Sequence, residues 1–170
     1  MEIRRATPGD ADGIGRVHAL SRRAAYVGLL PADALALVTP ERQAEVWRTR
    51  LAEASTPHAV YVGTVDAEVQ GFTVGEQDGR TGLLVAIHTL PALHGTGAGQ
   101  RLHDALLADF GAWGCSDAEL WVLAGNERAQ SFYRRNGWTH DGTTKPHTVG
   151  GVDVPALRYR RPVTSATTRR

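Results

Sequence analysis

Residues 90–102 read "LPALHGTGAGQRL". Gly95, Gly97 and Gly99 crowd together directly ahead of a helical pattern that places Leu102, Leu106, Leu107 and Phe110 inward. Glycine costs backbone entropy, so such a cluster weakens regular structure unless the backbone must turn or something must approach it closely. Upstream, "LLVAIHTL" (83–90) is an apolar, β-branched strand pattern. A strand, a glycine loop and a helix aim free backbone N–H groups and the positive end of a helix dipole at one point. An anion suits that point, and a pyrophosphate spans several amides at once. A P-loop ends in Gly-Lys-Ser/Thr, but Gln100 and Arg101 follow Gly99. A Rossmann loop is spaced G-x-G-x-x-G within an early βαβ unit, and the spacing here is G-x-G-x-G. A glycine-rich turn without a ligand is the competing reading.

Outward from the loop, "HAVYVGTV" (58–65) and "VQGFTVGE" (69–76) precede the 83–90 strand. The short turns "DAE" and "QDG" join the three into an antiparallel meander. "MEIRRA" is read as a first strand. Thr7, Pro8 and Asp10 open a helix to about Tyr26, and Thr39-Pro40-Glu41 opens a second to about Ala54. The segment between them, "VGLLPADALALVTP", is read as irregular. Gly111 and Gly114 are expected to end the helix that follows the glycine loop. "AELWVL" (118–123) is a strand expected to be buried on both faces. "NERAQSFYRRNGW" is a helix with Asn126 as N-cap and Gly137 at its end. Two strands near 139–147 and 153–160 complete the order β-α-α-β-β-β-α-β-α-β-β. This predicts an α/β (α+β mixed) domain. It has a mixed, mostly antiparallel sheet of about seven strands with helices on both faces. The domain is set at residues 1–161. The Ser/Thr-rich end, 162–170, is expected to be a disordered tail.

Composition narrows the class. The chain has 170 residues, 42% apolar and 22% charged, with a formal net charge of +1. These values suit one globular domain and lack the basic excess of a nucleic-acid binder. No apolar run reaches the ~20 residues of a membrane span, and the polar N-terminus is unlike a signal peptide. The single cysteine, Cys115, excludes an internal disulfide and points to a reducing, cytoplasmic setting. His94, His103, His140 and His147 show no compact ligand spacing, so no metal is expected.

The 90–102 stretch resembles the acetyl-CoA loop of the GNAT superfamily of N-acyltransferases. Gly97 and Gly99 fall on its small positions, and His94 stands where Gln or Arg is usual. "NERAQSFYRRNGW" resembles the family's second motif, with Asn126, Ala129, Phe132, Tyr133, Gly137 and Trp138 in register. The motifs are in the right order and at the right separation, and the resemblance covers about Leu83 to Trp138. It implies that the strands at 83–90 and 118–123 splay apart to admit the pantetheine arm of acetyl-CoA. Backbone around Thr89 and Leu90 would line the arm. The amides of Gly95, Thr96, Gly97, Ala98, Gly99 and Gln100, next to His94, would hold the pyrophosphate. Asn126 would reach the arm from the other side, cap its helix, or do both.

The resemblance implies direct attack by an amine on the thioester, with Tyr133 protonating the leaving thiolate. The base is open. Leu83 stands where many relatives carry Glu, and leucine takes no proton. His88 has a usable pKa. A regular strand would point residues 83 and 88 to opposite faces, unless a bulge intervenes. A water chain ending on a carboxylate elsewhere is the other route. Tyr26, with the 27–40 loop, is expected to border the acceptor, while Trp47 is read as core. The acceptor would be a small-molecule or peptide amine. A non-catalytic acyl-CoA-binding module of the same fold is the alternative. The sequence is also compatible with a homodimer.

Overall fold

The computed structural model describes residues 1–53, 58–149 and 151–164. One mixed sheet holds seven strands in the order β1-β2-β3-β4-β5-β7-β6. They are β1 (Glu2–Arg5), β2 (His58–Val65), β3 (Glu68–Asp78), β4 (Thr81–Thr89), β5 (Asp117–Leu123), β6 (Thr139–Val149) and β7 (Val152–Pro162). Every neighbouring pair is antiparallel except β4 and β5, which run parallel. Five helices cover the sheet: α1 (Ala11–Tyr26), α2 (Ala32–Ala36), α3 (Pro40–Ala52), α4 (Ala98–Ala112) and α5 (Glu127–Arg135).

Local signals explain most element boundaries. Asp10 Oδ2 accepts from the Thr7 N–H and hydroxyl at 2.7 and 2.9 Å, closing a capping box on a short 3₁₀ turn that leads into α1. Thr39 Oγ1 accepts from the Arg42 N–H at the start of α3. Gly137 takes φ +77° just past α5, a left-handed conformation that favours glycine.

Two apolar layers sandwich the sheet. Ile14, Val17, Trp47, Val62, Phe72 and Val74 pack α1 and α3 against one face. Leu84, Leu106, Phe110, Leu120, Tyr133 and Trp138 pack α4 and α5 against the other. Trp47 is core, as expected.

Several boundaries differ from expectation. Ala32–Ala36 forms α2 inside the segment read as irregular. Gly111 lies within α4, which ends at Ala112 with Trp113 as C-cap; Gly114 follows in a left-handed conformation, its N–H bonded back to the Gly111 carbonyl. The two meander turns hold only two residues each, because Val65 pairs with Glu68 and Asp78 with Thr81. β5 is not buried on both faces: Ala118, Leu120 and Val122 are buried, while Asp117, Glu119 and Trp121 are half-buried towards the α1 side. β7 runs through Pro162, and the Val163 N–H donates to the Ser116 carbonyl, so regular structure passes residue 161. Ala54 and residues 165–170 lie outside the described residues.

Candidate active site

The sheet opens in its middle. β4 and β5 pair only from Thr81↔Asp117 to Leu84↔Leu120, although β4 continues to Thr89 and β5 to Leu123. A cleft of about 930 Å³ fills this V and extends to both faces of the sheet. An unpaired strand edge inside a cleft is a row of free donors and acceptors that an extended ligand can complete.

The glycine loop closes one end of the cleft. Gly97 is the residue before α4 and takes φ +86°, a left-handed conformation that favours glycine. The N–H groups of Gly95, Gly97, Ala98, Gly99 and Gln100 have no hydrogen-bond acceptor among the described residues. No acidic residue occupies the first turn of α4, so nothing there opposes an anion. The Thr96 N–H and hydroxyl instead bond the Leu93 carbonyl, and the His94 N–H bonds Pro91. Leu90 turns away as well: its N–H donates to Gln70 and its side chain packs in the α1–α3 layer. Thr89, His94, Gly95, Gly97, Gly99, Gln100 and Asn126 line the cleft, whereas Leu90, Thr96 and Ala98 do not contribute side chains to it. Arg128 and Arg135, absent from the sequence expectation, also line it, and Arg128 helps hold the His94 pKa down after burial.

Tyr133 enters the V from the α4–α5 layer. It is buried, and its hydroxyl makes no hydrogen bond among the described residues. Burial first, and Tyr26 second, push its pKa above the ordinary 10.0, so the phenol stays a proton donor. Asn126 Oδ1 accepts from the Ala129 N–H at 3.2 Å as a helix cap, which leaves its amide N–H₂ to the cleft. Tyr26 closes the end of α1 and is buried beside the cleft.

His88 enters from the opposite layer because of a bulge. Val74 pairs with Ala86 but Gly75 pairs with Leu84, so Val85 is an extra residue in β4. The insertion resets the strand's alternation. Leu83 lies opposite Glu76, whose carboxylate bonds Arg50 of α3, and His88 lies opposite Phe72 of the same layer. Residues 83 and 88 therefore share the α1–α3 face, which overturns the expectation for a regular strand. The His88 Nδ1 lies 2.8 Å from Ser21 Oγ of α1, and its ring stacks on Phe72. Ser21 Oγ also donates to the His18 carbonyl at 3.2 Å. A hydroxyl has one proton, so when it is given to the His18 carbonyl the His88 Nδ1–H donates to Ser21 and Nε2 is left unprotonated. Burial and then the Arg22 charge hold the His88 pKa at about 3, so the ring is neutral. Sequence reasoning missed Ser21, Arg22 and His18, which read as the polar side of an ordinary amphipathic helix.

His103 and Cys115 lie outside the cleft, while His147 lines it. His103 is sealed under α4, accepting from Trp138 Nε1 at 3.0 Å and contacting Asp104 at 3.1 Å. Cys115 is buried, and burial pushes its thiol pKa up. No helix among the described residues is long and apolar enough to cross a membrane.

Known proteins resemble this chain in sequence or in fold. An uncharacterised N-acetyltransferase of Mycobacterium tuberculosis is 34% identical over 86 residues, which is 50% of this chain and 55% of that protein. An uncharacterised N-acetyltransferase of Mycobacterium bovis matches equally. The chain thus spans about half the length of the curated relatives it matches. The crystal structure of PaiA N-acetyltransferase from Thermoplasma acidophilum in complex with coenzyme A superposes with TM-score 0.81 at 18% identity, covering 95% of this chain and 98% of that one. The ribosomal-protein-S18-alanine N-acetyltransferase of Escherichia coli superposes with TM-score 0.68 at 17% identity, over 99% and 97% of the two chains. At these identities the superpositions speak for the fold alone. Residues 27–138 match the Acetyltransferase (GNAT) family, and the chain belongs to that family.

Proposed function

We propose that the protein is an N-acetyltransferase that moves an acetyl group from acetyl-CoA to a primary amine of a small molecule or peptide. The observation that carries this reading is the V between β4 and β5, which ends at a helix N-terminus whose amides are free. That shape takes an extended arm with a pyrophosphate at one end. Acetyl-CoA, when bound, supplies an activated acetyl thioester. The N–H groups of Gly95, Gly97, Ala98, Gly99 and Gln100 hold its pyrophosphate, with Arg128 and Arg135 adding positive charge. Free backbone N–H groups on the opened edge of β4 polarise the carbonyl.

The acid and the base then approach from opposite layers. Tyr133 gives its phenolic proton to the departing sulfur, an assignment supported by its raised pKa and its unbonded hydroxyl. His88 Nε2 takes a proton from the acceptor's ammonium, so that the neutral amine attacks the thioester, while Ser21 holds the ring at Nδ1. Its depressed pKa makes it a weak acceptor, so the ammonium must itself be destabilised by the cleft. The buried thiol of Cys115 fits the cytoplasmic setting proposed here.

The test is CoA thiol release across a panel of amines. Release that depends on an amine, with the acetylated product seen by mass spectrometry, supports the enzyme. Tight acetyl-CoA binding without release for any amine would favour a non-catalytic acyl-CoA-binding module.

A further inference from the structure

The cleft is lined by five cationic side chains, Arg22, Arg50, Arg128, Arg135 and Lys145, and one acid, Glu119. Part of that charge already has a use. Arg50 pairs with Glu76, and Arg158 and Arg160 each approach Glu119 at 3.9 Å. Arg128 and Arg135 stand on α5 beside the glycine loop. Arg22 is different. It makes no hydrogen bond or ion pair among the described residues, and its Nε is buried with no partner. An unpaired guanidinium on the wall of a cleft can take an anion that enters it.

Its position says what would bind. Arg22 lies one residue after Ser21, which contacts His88, and its guanidinium sits 5.8 Å from the Tyr26 ring centre. Across the cleft, Lys145 sits 3.9 Å from the Trp121 ring centre. Arg22, Lys145 and His147 line the same cleft, and burial first, then the Arg22 and Lys145 charges, lower the His147 pKa. A purely cationic amine would be repelled from that mouth, whereas a zwitterion would be attracted by one end.

Resting on the acetyltransferase reading above, we infer that Arg22 is a specificity residue that takes the carboxylate of the acceptor, so that the preferred acceptor is a small amine bearing an acidic group. The planar fork of an arginine matches a carboxylate with two parallel N–H···O bonds. A bound carboxylate also offsets the Arg22 charge, which after burial is the second cause of the low His88 pKa.

The experiment compares amino acids with their carboxamides, for example 4-aminobutyrate with 4-aminobutyramide and glycine with glycinamide. The amide removes the negative charge and keeps the skeleton. The wild type should favour the acid by about tenfold or more in kcat/KM. Arg22→Met keeps the apolar stem and should cut kcat/KM for the acids by roughly 30-fold, mainly through KM. Amides and the acetyl-CoA KM should stay within about threefold, and Arg22→Lys should recover part of the loss. Equal loss for acids and amides, or a raised acetyl-CoA KM, overturns the assignment. So does a wild type that acetylates amides as well as acids. If no amine releases thiol, the acetyltransferase reading fails, and calorimetry of the same amino acids against the CoA-loaded protein decides the site alone. Heat in the wild type that disappears in Arg22→Met supports it, and no heat from any acid overturns it. A melting curve confirms that each variant is folded.

Discussion

Two histidine clusters lie on opposite faces of one sheet, and they differ in what is left unbonded. Under α4, both ring nitrogens of His103 are engaged, one by Trp138 and one by Asp104. Under α1, His88 engages only Nδ1, with Ser21, and its ring borders the cleft. Both are held neutral chiefly by burial. A histidine with two partners fixes packing, while one with a free nitrogen beside a cavity can move a proton. The same contrast separates Arg50, paired with Glu76, from Arg22, which has no partner.

The comparison can be broken by changing each side in turn. The largest effect is expected at the glycine loop, where Gly97→Asp places a carboxylate among the free amides at a left-handed position. Acetyl-CoA binding should fall below detection by calorimetry, and unchanged affinity in a folded variant would remove the loop assignment. Next is Tyr133→Phe, which keeps most of the volume and removes the donor. It should lower kcat by ~10²–10⁴ while the acetyl-CoA KM stays within a few fold. A raised KM at constant kcat would make Tyr133 a binding residue instead. His88→Gln retains a donor to Ser21 but offers no basic nitrogen, so kcat at saturating amine should drop about 10²-fold. A kcat near wild type would assign the proton to a water chain.

On the sealed face the same kind of change should leave chemistry alone. His103→Ala removes the acceptor of the Trp138 indole N–H and opens a cavity, so stability should fall by about 1–3 kcal/mol with kcat intact. Denaturant melts and steady-state rates on the same preparation check both halves. The last expected effect is a pH slope. The His88 pKa falls from the ordinary 6.5 in the unfolded chain to about 3 in the native state. Below 6.5 the unfolded chain therefore binds protons that the native state refuses. The stability of the neutral ring is complete above 6.5 and is lost as the pH falls towards 3. Melting temperatures from about pH 7 to about pH 4 should fall less steeply in His88→Gln than in the wild type.

The elements that the sequence revealed are those written by local chemistry. Three glycines before an apolar helical stripe, Asn126 three residues before Ala129, and β-branched runs broken by turns each specify a backbone state on their own. What stayed hidden is set by pairing. Val85 is one more β-branched residue in an apolar run, and only its lack of a partner on β3 makes it a bulge. That single residue decides that His88 and Leu83 share a face. Glu119 and Trp121 sit within an apolar stretch whose alternation appears once one side opens to the cleft. Ser21 and Arg22 occupy the polar side of α1, and nothing local distinguishes a side facing a cleft from one facing solvent.

The central claim is that the V between β4 and β5 seats the thioester between Tyr133 and His88. A crystal structure with acetyl-CoA bound tests it most directly. The account predicts the pantetheine arm bonded along β4 beyond Leu84, the pyrophosphate on the amides from Gly97 to Gln100, and the sulfur within hydrogen-bonding reach of the Tyr133 hydroxyl. Acetyl-CoA bound outside the V, or a sulfur beyond reach of Tyr133, would contradict it.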